Sequence, residues 1–219
     1  MSPTQKLRLG HNRSGVDNGV MCGRFTRYSP VDVFAEMVGV GSDFGLPPRY
    51  NILPGQALLL CRNAGSGREL VTLKWGLIPP WELEPKTKLS TINAKAEAVA
   101  TSRLYRYPFR KQRCLIAADG FYEPKATGEK RKPQYYFHRK DGSAFFIAGL
   151  WGRWRDAAQV IDSCTLITTD ANTVIGQVHA RMPVILPPET YDLWLDPTLE
   201  DPKALQPLLQ LSPGAEWEG

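Results

Sequence analysis

Several features are scarce in this chain of 219 residues, and each scarcity closes a class of function. There are three histidines, His11, His138 and His179, well apart from one another, and no two cysteines are separated by only two residues. Zinc spacing needs such pairs, so no metal is expected. No glycine-rich phosphate loop of the Walker or dinucleotide type occurs, and no cofactor is expected. The segment RNAGSGR reads instead as a hairpin tip. No apolar run approaches the roughly 20 residues that a bilayer span requires, so a membrane is not an expected partner. The first residues lack the apolar block of a secretory signal. Without that signal, four scattered cysteines do not read as a disulfide framework. No repeat and no linker between independent halves divides the chain.

What is present fits one folded domain. The hydrophobic share of 42% and six tryptophans suit a packed core. Residues 1–20 are polar, without apolar period, and read as a disordered or non-native extension, leaving a single domain over 21–219. The net charge of +5 is uneven. Lys95 to Lys140 holds twelve Lys/Arg against four Asp/Glu, whereas Ile185 to the end holds seven acids and one lysine. A basic middle with an acidic tail suggests a polyanion against one face, although an ordinary solvated distribution also explains it.

The periodicity predicts mixed α+β, with mostly antiparallel strands. SPVDVFAEMVG reads as a helix, with Ser29 as N-cap, Pro30 in the first turn, Val31, Phe34, Ala35 and Val38 on the core face, and Gly39 as the stop. ALLLC at 57–61 and ELVTLKW at 69–75 form a hairpin signal. Residues 94–106 have Ala-rich helix propensity, and Asn93 can cap that helix. Residues 113–123 read as a buried strand, a turn and a second extended piece. Residues 134–154 read as two strands joined at Asp141-Gly142, and 164–169 as another strand. PPETYDLWL and DPKALQPLLQ read as short helices.

Cys61, Cys114 and Cys164 lie within apolar runs and read as buried and inert. Cys22, between Met21 and Gly23, is different. In a chain starting at Cys22 its α-amine and thiol, with ordinary pKa values of about 7.7–8.0 and about 8.5, would both be partly nucleophilic near neutral pH. Nearby Arg24 would favour the thiolate. An amine and a thiol two carbons apart can add to one aldehyde carbon and close a thiazolidine ring. The alternative is that Cys22 merely opens a buried strand. Glu123 follows two aromatics and is either solvated or a proton-transfer group raised in pKa by apolar neighbours. A lone histidine such as His179 is more often structural than catalytic. The tryptophans of WGLIPPW are either core or an exposed wedge for stacking bases.

Together, MCGRF, RYNILPGQ, WGLIPPW, INAKAEA, RCLIAADGFYE and HARMPVIL occur in one order along Met21 to Leu195. This set resembles the SOS response-associated peptidase (SRAP) family, the abasic site processing proteins. The resemblance implies a barrel-like β core with flanking short helices. It also implies binding of single-stranded DNA and a covalent thiazolidine with abasic (AP) sites, with possible AP-lyase activity. The catalytic residues it implies are Cys22, exposed once Met21 leaves, with Asn93, Glu123 and His179. Arg24, Lys95 and Arg181 would hold phosphates, and Asn51, Pro54 and Trp81 would shape the groove and kink the strand. A monomer in the cytoplasm, on the nucleoid when bound to DNA, is expected. Two positions depart from the family pattern: Lys95 stands where arginine is usual, losing the bidentate fork, and Pro124 where tryptophan is usual. Two rival readings are a self-processing cysteine peptidase acting at Met21–Cys22 and a non-catalytic nucleic-acid binder.

Overall fold

The computed structural model describes residues 22–86, 90–125, 132–210 and 213–219. The expected extension and Met21 lie outside the described residues. In chain order the strands are β1 (Arg24–Arg27), β2 (Arg49–Ile52), β3 (Ala57–Asn63), β4 (Arg68–Trp75), β5 (Asn93–Lys95), β6 (Arg113–Ala118) and β7 (Gly120–Pro124). They continue with β8 (Gln134–Arg139), β9 (Phe145–Arg155), β10 (Val160–Asp170), β11 (Arg181–Pro183), β12 (Ile185–Leu186) and β13 (Trp217–Glu218). The α-helices are α1 (Val31–Met37), α2 (Arg106–Lys111), α3 (Tyr191–Leu195) and α4 (Pro202–Leu205).

Five strands close on themselves in the order β10-β4-β3-β6-β9, with β9 returning to β10. The β10–β4 contact is parallel and the other four are antiparallel. Strands β5, β11 and β12 attach to this barrel, and a separate sheet runs β13-β8-β7-β1-β2. The α+β, mostly antiparallel and barrel-like expectation therefore holds.

The two-residue side-chain period explains the closure. Leu58, Leu60, Cys114, Ile116, Phe145 and Ile147 belong to one apolar cluster, shared with Phe25 and Phe121 of the smaller sheet. The intervening Leu59, Cys61, Leu115, Ala117, Phe146 and Ala148 belong to a second cluster, covered by α1, α3 and α4. A strand buried on both faces needs a near-continuous apolar run, which β6 and β9 supply. Gly149 serves the tight interior, since a Cβ there would lie 2.6 Å from Ile116 Cδ1. Buried Arg113 fastens the helices to β6, donating to Phe109 O at 2.9 Å and Trp194 O at 2.6 Å.

Three local expectations need correction. Ser29 does not cap α1: its hydroxyl donates to Asp119, and Pro30 occupies the cap position. Asp119 also accepts from Tyr28 N and Ser29 N, so this serine fixes the exit of β1 instead. Gly39, with φ +67°, does end the helix. Residues 94–106 do not form one helix. Ala94 and Lys95 pair with Ile167 and Thr168, separate turns follow, and α2 begins only at Arg106. Backbone pairing with β10 outweighs alanine propensity here, and Asn93 is the first residue of a strand rather than a helix cap. The Asp141-Gly142 turn exists, yet β8 and β9 do not pair with each other. β9 is buried through most of its length and belongs in the barrel wall, while β8 stays half-exposed in the smaller sheet.

Candidate active site

The β1–β7 ladder builds the site. Arg24 lies opposite Tyr122, Phe25 opposite Phe121 and Thr26 opposite Gly120, which brings the residues just before β1 beside Glu123. Cys22 N–H donates to Glu123 Oε2 at 3.3 Å. Glu123 alternates with half-exposed Tyr122 and so turns inward, with no solvent exposure. Cys22 is also buried, and it has φ +47°, the left-handed region that L-residues rarely occupy outside glycine. Such an outlier points toward a functional constraint.

His179 arrives from a different element. Asn172 Oδ1 accepts from Val174 N and Ile175 N, starting a 3₁₀ turn over Ile175–Gln177. His179 N then donates to Ile175 O at 3.0 Å. The ring Nδ1 accepts from Arg181 N–H at 3.1 Å and stands 3.7 Å from Glu123 Oε2. The same Nδ1 also lies 3.2 Å from Arg181 O, so the main-chain N–H and C=O of Arg181 both face one ring nitrogen and call for opposite tautomers.

Burial pushes the Glu123 carboxyl above its ordinary range, against the hydrogen bonds from Cys22 and the nearby His179. Its Oε1 has no hydrogen-bond partner. A carboxyl held toward its neutral form, with one free oxygen, can present a proton to a bound molecule. The Cys22 thiol is pushed well up by burial first, then by the charge and hydrogen bonding of Glu123. In the chain with Met21 attached, the thiol is therefore held toward its neutral form. The Arg24 guanidinium lies 5.8 Å from the centre of the Tyr122 ring, and Arg181 supplies the opposing positive charge on the thiol.

The structure thus brings together Cys22, Glu123, His179 and Arg181. Asn93 is half-buried on β5, opposite Leu166, and its main-chain oxygen accepts from Tyr105. Lys95 is exposed two residues further along the same strand. Asn51 and Pro54 are exposed on β2 and the turn after it. The two tryptophans of WGLIPPW divide the two roles that the sequence left open. Trp75 is core, while Trp81 is 46% exposed, with the Arg103 guanidinium 5.2 Å from its ring centre. Trp81 lines a cavity of about 500 Å³ together with Arg103, Tyr107 and Arg155; Cys22, Glu123 and His179 do not line it. Cys61, Cys114 and Cys164 are buried free thiols, as expected.

Sequence reading missed Arg103, Tyr107 and Arg155 in that cavity, and it missed Glu97 and Asp170, which hold Arg181. The run from Thr101 to Arg113, with five cations and no acid, was the available signal for the cavity. Among the described residues no three His, Cys, Asp or Glu side chains are grouped to hold a metal ion. No helix of the described residues is long and apolar enough to cross a membrane.

A family model described as SOS response associated peptidase (SRAP) matches residues 21–218. The chain belongs to the SRAP family. It is similar to the abasic site processing protein YoqW of Bacillus subtilis, 40% identical over 196 residues that cover 87% of each chain. The abasic site processing protein YedK of Escherichia coli is 30% identical over 181 residues, covering 80% of this chain and 79% of its own. A crystal structure from Bacteroides thetaiotaomicron aligns with a TM-score of 0.81 and 26% identity, over 90% of each chain. One from Bordetella bronchiseptica aligns with a TM-score of 0.77 and 28% identity, over 90% of this chain and 97% of its own. Within this SRAP fold, Cys22, Glu123 and His179 come from three segments that are distant in sequence.

Proposed function

We propose that this protein captures AP sites in single-stranded DNA covalently, through Cys22 as the N-terminal residue of a trimmed chain. One observation carries the reading: the nitrogen of Cys22 lies 3.3 Å from Glu123 Oε2, with the His179 imidazole 3.7 Å from the same oxygen. That nitrogen is an amide while Met21 is attached and a nucleophilic amine once it is not. The names of the relatives, abasic site processing proteins, support the choice of substrate.

The chemistry follows from the groups. Glu123, kept toward its neutral form, gives a proton to the ring oxygen of the closed abasic sugar and takes one from the C1′ hydroxyl as the bond between C1′ and the ring oxygen breaks, opening the sugar to the aldehyde. The α-amine of Cys22 adds to C1′, and loss of water leaves an imine. The thiol sulfur then adds to the imine carbon while its proton passes to the nitrogen, closing the thiazolidine. His179 assists proton transfer around the sugar hydroxyl or the imine. β-Elimination from the same imine is the competing outcome and would appear as weak AP-lyase activity. Arg24 and Lys95 hold flanking phosphates, the Arg181 guanidinium, already paired with Glu97 and Asp170, adds its charge from behind them, and Asn51, Pro54 and Trp81 shape the strand's path.

The test is direct. A protein beginning at Cys22 is expected to form a denaturant-resistant adduct with single-stranded AP-site DNA. Cys22→Ala abolishes that adduct and Glu123→Ala slows its formation. A folded, trimmed protein that gives no adduct refutes the reading.

The left-handed φ of Cys22 favours a second, compatible reading, self-cleavage at Met21–Cys22, because strain at that residue is relieved when the preceding peptide is lost. Intact mass of the purified 219-residue chain is expected to shift to the trimmed value without added peptidase. A bond stable for days excludes this reading.

A further inference from the structure

Arg181 opens β11, and its guanidinium meets carboxylates from two other segments. Nη2 lies 2.9 Å from Glu97 Oε2, and Nη1 lies 2.7 Å from Asp170 Oδ1. Nη2 also donates to Thr168 O at 2.8 Å. The side chain is only 12% exposed. Its own backbone N–H donates to His179 Nδ1 at 3.1 Å. One residue is therefore fixed at its guanidinium and orients the imidazole through its main chain.

The topology separates the two carboxylates. Asp170 sits opposite Arg181 in the β10–β11 ladder, so that pair links strands which the backbone already joins. Glu97 follows β5, and β5 and β11 each pair with β10 and not with each other. The Glu97–Arg181 pair is thus a direct tie between the segment carrying Asn93 and Lys95 and the segment carrying His179.

We propose that Glu97, acting through Arg181, is a positioning residue for the covalent step, fixing the His179 segment against the Asn93 segment. This rests on Cys22 being the nucleophile for AP sites. The Arg181 charge also opposes the upward push on the Cys22 thiol, so a displaced guanidinium alters the nucleophile as well. The Glu97 side chain is 56% exposed, and an ion pair so placed adds little to folding stability. Its substitution therefore reports on position rather than on folding.

The experiment measures single-turnover adduct formation by a protein beginning at Cys22, over a range of protein concentrations, with a single-stranded AP-site oligonucleotide. Glu97→Gln is expected to lower the limiting rate by about tenfold, with the half-saturating concentration within about threefold of wild type. Asp170→Asn removes the same charge from the same guanidinium and is expected to keep the limiting rate within about twofold. An unchanged limiting rate in Glu97→Gln, or equal losses in both variants, overturns the proposal. A wild-type protein that forms no adduct overturns the functional reading instead. The ¹⁵N resonance of His179 Nδ1 then still decides on the tie: it is expected to move in Glu97→Gln and not in Asp170→Asn, and an unmoved resonance in Glu97→Gln overturns it.

Discussion

The backbone nitrogen of Cys22 donates to Glu123 Oε2 at 3.3 Å, across 101 residues of sequence. The receiving carboxyl is wholly buried, and the ring of His179 faces the same oxygen. One oxygen atom therefore joins three separate segments. The two titrating groups are linked as well, because the charge on Glu123 is among the causes that raise the Cys22 thiol.

Burial of Glu123 sets a pH dependence of stability. Its carboxyl is raised by desolvation. Below the ordinary carboxyl pKa, folded and unfolded chains are both protonated and the group contributes no difference. Above it, the folded chain retains a proton that the unfolded chain has lost, so stability falls with rising pH until the raised pKa is passed. Glu123→Gln removes this loss. The variant is expected to gain on wild type as the pH rises from 4 to 8, read from urea unfolding of both proteins at each pH. A difference that is constant across that range would mean that the carboxyl titrates normally.

The same linkage predicts how Cys22 reacts. With its thiol raised by burial and then by Glu123, native Cys22 is expected to alkylate slowly with iodoacetamide at pH 7.5. Glu123→Gln removes only the second cause and is expected to speed labelling. Cys61, pushed up to about 11, stays unlabelled, as do buried Cys114 and Cys164. Peptide mapping of the labelled sites checks this. Labelling of native Cys22 as fast as in the unfolded chain contradicts it.

Local order was legible in the sequence where one signal acted alone. The 57–75 hairpin sets a continuous apolar run and a partly alternating one about a polar tip, and strand 113–118 is buried throughout, so both appear where pattern places them. Ala94 shows the opposite case. Its run favours helix, yet β10 offers Ala94 and Lys95 backbone partners 73 positions away, and only the folded chain presents those partners. The site divides in the same way. Cys22 and Glu123 stood out by their own chemistry, but their grouping with His179 was reached through resemblance, because no spacing in the chain places them together. Glu97 was missed because it reads as an ordinary surface acid until Arg181 is seen against it.

Trp81 and Arg103 are expected to separate the two parts of nucleic-acid binding. The ring is 46% exposed and stands in the cavity beside the guanidinium. Base stacking on an aromatic contributes about 1–3 kcal/mol and depends little on salt. Trp81→Ala is therefore expected to weaken binding of an intact single-stranded oligonucleotide with the salt slope unchanged. A phosphate contact releases counterions, so Arg103→Gln is expected to lower the slope of log K against log salt by about 0.7. Titrations by fluorescence anisotropy at four salt concentrations distinguish the two effects. Identical slopes in wild type and Arg103→Gln would mean that Arg103 makes no phosphate contact.

The φ of +47° at Cys22 allows a test of strain that does not depend on DNA. This torsion is defined by the carbonyl carbon of the preceding residue, so it exists only while Met21 is attached. A left-handed conformation costs an L-residue roughly 1–2 kcal/mol, and glycine largely escapes that cost. Cys22→Gly also deletes a buried thiol, which lowers stability in either chain. Comparing the substitution in the 219-residue chain and in a chain beginning at residue 22 cancels the thiol and leaves the torsion. Urea unfolding of the four proteins is expected to show Cys22→Gly more favourable in the longer chain by about 1–2 kcal/mol. Equal effects in both lengths would mean that the Met21–Cys22 linkage stores no strain, and self-cleavage would then lose the observation that favours it.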